Sequence, residues 1–151
     1  MARATDELVY EHMLLIRYTL HDMASRQPRP LERSAYVLLS RLEAQGPMSV
    51  GELSDAFELD VSTVHRQTTA AMKSGLVERI ADPGGGMARK FRITELGERQ
   101  LREQQLVLRE RFDAMLEDWS DEDVAAYLTY LRRFNTTVEH RRGRAWPRPL
   151  S

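Results

Sequence analysis

The stretch from Met48 to Thr94, MSVGELSDAFELDVSTVHRQTTAAMKSGLVERIADPGGGMARKFRIT, constrains this chain most. Val50, Leu53, Ala56 and Phe57 recur at i, i+3, i+6 and i+7, the period of one helix face. Ser49 stands where it can cap that helix by accepting from an orphan backbone N–H. Glu58, Leu59 and Asp60 leave room only for a turn. Asp60 or Ser62 then caps a second helix running to about Ser74, and Gly75 ends it. Leu76 to Ile80 and Lys90 to Ile93 alternate apolar and polar residues on either side of Asp82-Pro83-Gly84-Gly85-Gly86, the composition of a two-stranded hairpin and its turn. Helix, tight turn, helix and hairpin, in that order, predict a winged helix-turn-helix.

On the second helix Val64, Ala71 and Met72 are spaced to pack inward, while Ser62, Thr63, His65, Arg66 and Thr69 gather polar groups in its first half, with Lys73 farther along. For one amphipathic helix alone, the plain reading is a solvated face. The adjoining hairpin changes that, because a recognition helix presents such residues to base edges. Charge agrees. From Asp60 to Arg92 the bases are Arg66, Lys73, Arg79, Arg89, Lys90 and Arg92 and the acids Asp60, Glu78 and Asp82, so this segment is positive inside a chain of net charge −1. A local basic surface on a near-neutral protein is a docking site for phosphates. The predicted DNA-contacting set is therefore Ser62, Thr63, His65, Arg66, Thr69 and Lys73 on the helix, with Arg89, Lys90 and Arg92 holding the backbone beside the wing.

These residues resemble the MarR family of bacterial transcriptional regulators. The matches are GELSDAF, the Asp-x-Ser-Thr-Val opening of the next helix, Arg66, SGLVER at 74–79, Asp82-Pro83 and FRITELGERQ at 91–100. The resemblance implies a homodimer on double-stranded DNA, often controlled by a small aromatic or anionic ligand held between the dimerisation helices and the winged domain. His12, Arg17, His21 and Tyr36 are the candidates for polar groups in such a crevice. There are two departures. The glycine usual between the two motif helices is Glu58, which costs on the order of 1 kcal/mol if that residue is left-handed. The acid and arginine usual near the wing tip fall on Gly85 and Met87, leaving Arg89 and Lys90 as the nearest substitutes.

Outside the motif the chain reads as helical and amphipathic. Residues 5–25 carry Leu8, Val9, His12, Met13, Leu15, Ile16 and Leu20 on one stripe, and Arg33 to Ala44 carries Tyr36, Val37, Leu39 and Leu42 between the breakers Pro28, Pro30 and Gly46. Thr94 is placed to cap a long helix through Leu101, Leu108, Phe112, Met115, Leu116 and Trp119. Ser120 and Asp123 form a capping box for a last helix with Val124, Tyr127, Leu128, Leu131, Phe134 and Val138 facing one way. A helix near 25 residues spans roughly 37 Å, farther than a small module covers. The expected solution is a two-fold dimer of interlocked terminal helices; an intramolecular bundle is the alternative. The expected organisation is a single mainly α domain with a β-hairpin wing: residues 5–45 and 95–140 for dimerisation, 48–94 for the winged motif, and 141–151 as an arginine- and proline-rich tail.

A chain of 151 residues with 42% hydrophobic content fits one globular domain. No uncharged apolar run approaches the roughly 18 residues a membrane span requires, and no signal peptide opens the chain, so a cytoplasmic protein is expected. Zero cysteines remove a thiol switch. Nothing has the spacing of a metal site, and the acids Asp121 to Asp123 suit a helix N-terminus; no catalysis, metal or cofactor is expected. The tail around Trp146 is expected to be mostly solvated, with DNA contact or packing on the dimer seam as the other outcomes. The rival function is a winged-helix protein-interaction module with weak or unspecific DNA binding.

Overall fold

The computed structural model describes residues 3–24 and 31–149, the side chains of 20–24 excepted. The order of elements is α1 Thr5–Ala24, α2 Arg33–Gln45, α3 Val50–Phe57, α4 Val61–Lys73, β1 Val77–Ile80, β2 Lys90–Ile93, α5 Glu95–Met115 and α6 Asp121–Arg142. Pro28, Pro30 and the His21 side chain lie outside the described residues.

Local chemistry sets the boundaries. Ser49 Oγ accepts from Glu52 N at 3.1 Å and starts α3, Thr94 Oγ1 accepts from Gly97 N at 3.1 Å and starts α5, and Ser120 Oγ accepts from Asp123 N at 3.1 Å and starts α6. Asp60 stands at the N-cap of α4 without a side-chain cap bond, and Ser62 lies within the helix. Helix α5 stops at Met115 after 21 residues, short of Trp119. No basic residue stands in its last turn, and Glu117 and Asp118 follow where the helix dipole is negative.

The hairpin is antiparallel, pairing Val77 with Ile93, Glu78 with Arg92, Arg79 with Phe91 and Ile80 with Lys90. Met48 adds a third-strand bridge to Phe91, with N–H to carbonyl distances of 3.1 and 2.8 Å. The core lies where α2, α3, α4 and the hairpin meet: Leu38, Leu39, Leu42, Leu53, Val64 and Phe91 are all buried, and Leu101 ties the start of α5 to them. Gln104 on α5 is buried and its Oε1 accepts from Leu31 N at 3.3 Å, joining α5 to the approach of α2. Gly97 permits the close approach of α5 to the wing, since a Cβ there would lie 2.2 Å from Leu76 O and 2.8 Å from Ile93 Cγ1.

The helices outside this core are bare. No residue of α6 is buried, and Leu8, Val9, Met13 and Ile16 of α1, Phe112 and Met115 of α5, and Leu128 and Phe134 of α6 are exposed. His12 meets α6 through its ring, 4.9 Å from that of Phe134.

Candidate nucleic-acid interface

Helix α4 follows α3 through one strained residue. Glu58 is left-handed, φ 53° and ψ 42°, the only non-glycine with positive φ among the described residues. Its backbone N–H reaches Ser54 O, and Ser54 Oγ donates to Leu59 O at 2.5 Å, so the turn is held from α3.

Val64 and Ala71 of α4 are buried as their spacing predicts, and Met72 is half-buried. Thr68 completes the inward face, 0% exposed, with Oγ1 at 3.0 Å from Val64 O and 3.1 Å from His65 O. Its hydroxyl donates back to the helix backbone, which is how a polar residue enters this core without an unpaired donor. The opposite face exposes Ser62, His65, Arg66 and Lys73 and half-exposes Thr63 and Thr69. Arg66 Nη2 donates to Thr63 Oγ1 at 3.2 Å, aligning the guanidinium along the helix. Val61, one turn before His65, adds an exposed apolar group that the polar count along the helix passed over.

The structure separates the three wing bases. Arg89 is exposed. Arg92 donates from Nε to Glu78 Oε1 at 2.9 Å, its cross-strand partner. Lys90 Nζ sits 2.9 Å from Glu52 and 3.7 Å from Asp82, and the hydrogen bond to Glu52 raises its pKa. It braces the wing against α3. The tip is a built turn: Asp82 Oδ1 accepts from Gly84 N at 2.8 Å, Asp82 O accepts from Gly85 N at 3.0 Å, and Met87 beyond it is fully exposed.

A crevice of about 990 Å³ opens between α2, α3 and the end of α6, with Val37, Arg41, Phe57, Glu139, Arg142 and Trp146 among its walls. His12, Arg17 and Tyr36 are not among the residues lining it: Tyr36 packs half-buried against the core, Arg17 is exposed, and His12 faces Phe134.

Most of the described tail is exposed, as expected of a mostly solvated arm, but Trp146 and Pro147 are not. Trp146 is half-buried, its ring stacked 5.7 Å from that of Phe57 and its other neighbour the Arg41 guanidinium, 4.5 Å from the ring centroid. Glu139 Oε2 accepts from Trp146 N at 3.0 Å and from Arg148 Nη1 at 3.0 Å, which draws the Glu139 carboxyl down to about 2 and raises Arg148. Sequence reasoning missed Arg41 and this use of Trp146, because their partners are distant along the chain, and Glu139, because its partners Trp146 and Arg148 come to it only through the chain reversal after α6.

No group of three or more His, Cys, Asp or Glu able to hold a metal occurs among the described residues. No described helix is long and apolar enough to cross a membrane.

Comparison with known proteins agrees with this geometry. Residues 31–85 match the profile of the MarR family. A protein of Bacillus subtilis (strain 168) described as the uncharacterized HTH-type transcriptional regulator YxaD is 37% identical over 127 residues, which are 83% of this chain and 89% of that one. A MarR family protein from Bacillus stearothermophilus superposes with a TM-score of 0.72 at 27% identity, covering 88% of this chain and 96% of that chain. The transcriptional regulator BldR from Sulfolobus solfataricus shares the fold, with a TM-score of 0.69 at 21% identity over 91% of this chain and 99% of that chain. The chain belongs to the MarR family of transcriptional regulators and carries their winged helix-turn-helix DNA-binding fold.

Proposed function

We propose that this chain works as a homodimer that binds a pseudo-palindromic DNA operator, with residues 48–94 reading DNA and residues 5–45 and 95–140 forming the two-fold seam. The observation that carries this reading is the pairing of two exposed surfaces: a polar, cationic face on α4 and an apolar stripe running over α1, α5 and α6. The stripe is covered by a second copy, and two-fold symmetry then presents two α4 helices to successive major grooves.

Within that arrangement Ser62, Thr63, His65, Arg66 and Thr69 face the bases and Lys73 and Arg89 the phosphates. Arg66, held by Thr63, is the reader of guanine. Arg92 and Lys90 act mainly by shaping the wing, since carboxylates already engage both. A small aromatic or anionic ligand modulates the dimer by binding the DNA-competent and incompetent arrangements with different affinity; equal affinity would shift nothing.

Arg66→Ala tests the reading, titrated against a duplex recovered from genomic fragments and its single-base variants. We expect discrimination to fall at one base pair per half-site by roughly 1 to 3 kcal/mol. A uniform loss over all sequences reassigns Arg66 to phosphate, and unchanged binding to every duplex removes α4 from the interface.

A further inference from the structure

The chain beyond α6 is turned back deliberately. Gly143, with φ 67°, places Gly143 N 3.1 Å from His140 O and Arg144 N 3.1 Å from Glu139 O, the two reversed bonds of a Schellman end. That reversal points the next residues down the side of α6 onto α2 and α3. There the Trp146 indole lies between Phe57 and the guanidinium of Arg41. Arg41 is 8% exposed, donates from Nε to Gln45 Oε1 at 2.8 Å, and pairs with no carboxylate among the described residues. Burial lowers its pKa, and Gln45 Oε1 and the negative ring face of Trp146 are the groups that face its charge. Glu139 fastens the segment through Trp146 N and Arg148, and Arg142 Nη1 donates to Glu58 Oε2 at 2.6 Å.

We propose that residues 144–148 are a latch that locks the end of α6 to the winged module and steadies the Glu58–Asp60 turn ahead of the recognition helix. No residue of α6 is buried, so this docking and the Arg142 pair carry most of its attachment to α2 and α3. The consequence for affinity rests on the DNA-binding reading above. With the latch closed, the recognition helix is held in one orientation relative to the dimer seam. With it open, only a fraction of chains are competent, and the apparent Kd rises by the inverse of that fraction.

The full-length chain is compared with Trp146→Ala and, as a milder variant, Glu139→Gln. Amide hydrogen exchange over residues 57–64 and 137–144 reads the latch without DNA, sedimentation reads the dimer, and titration of a duplex recovered from genomic fragments reads the consequence. We expect exchange at the turn to quicken roughly tenfold in both variants, the dimer to persist, and affinity to fall about five- to tenfold with an unchanged salt slope. Unchanged exchange in both variants overturns the latch. An affinity loss with a salt slope lower by about one overturns its role in DNA binding, because the tail then contacts phosphate directly. If the wild-type chain prefers no duplex, the operator reading fails by itself and exchange alone decides the latch.

Discussion

Arg142, the last residue of α6, donates from Nη1 to Glu58 Oε2 at 2.6 Å, and Glu58 is the left-handed residue between α3 and α4. One side chain therefore serves two purposes that conflict. A glycine would occupy this φ without strain, but only a side chain with an acceptor reaches Arg142. The left-handed conformation costs a non-glycine roughly 1 to 2 kcal/mol, and an exposed ion pair returns at most about 1.

Glu58→Gly should accordingly be more stable than Glu58→Ala by about 1 kcal/mol in urea unfolding, since both lose the contact to Arg142 and only glycine loses the strain. Equal midpoints would mean the turn holds no strain at residue 58.

Gly97→Ala should destabilise the chain by about 2 kcal/mol despite the better helix propensity of alanine, because overpacking against a rigid neighbour outweighs that gain. The new Cβ would meet the carbonyl oxygen of Leu76, which is fixed by its bond from Thr94 N at 3.0 Å. A urea midpoint equal to wild type would show that α5 slides freely over the wing.

Tail docking should depend on acid in one direction only. The Glu139 carboxyl is held at about 2 against an ordinary 4.5, so its stabilisation is fully present above pH 4.5 and is lost as pH falls through 4.5 toward 2. Glu58, Arg41, Arg142 and Arg144 face the same crevice. In a Trp119→Phe background, Trp146 emission should report undocking in that window, and adding Glu139→Gln should remove most of the pH dependence. The same titration in both backgrounds would place the response elsewhere.

Leu128 is 51% exposed in the single chain, so Leu128→Glu costs the isolated fold little. Covered by a second copy, the carboxylate would be desolvated, and dimer dissociation should increase by about a hundredfold or more. Sedimentation at several concentrations reads this. An unaltered dimer would put the seam on another face.

How far the fold was legible in the sequence follows from the range of each interaction. Ser49, Thr94 and Ser120 are capping residues whose partners lie three positions on, and the inward stripe of α4 repeats within a few turns, so both can be read from neighbouring residues. Lys90 and Arg92 look like free cations along the chain. Their carboxylates, Glu52 and Glu78, come to them only through the packing of the wing on α3 and the cross-strand register. The docking of Trp146 is invisible along the chain because Arg41 lies about a hundred residues before it and Phe57 about ninety; the fold alone brings them to the ring.

Whether the chain is a dimeric reader of one operator is decided by selecting bound fragments from the source genome with the purified chain and titrating the best fragment against its scramble at several salt concentrations. A dimeric regulator recovers a palindrome, binds with two chains per duplex and a steep salt slope, and prefers its site over the scramble by about a thousandfold or more. Enrichment of nothing, with equally weak binding to every duplex, would contradict this reading.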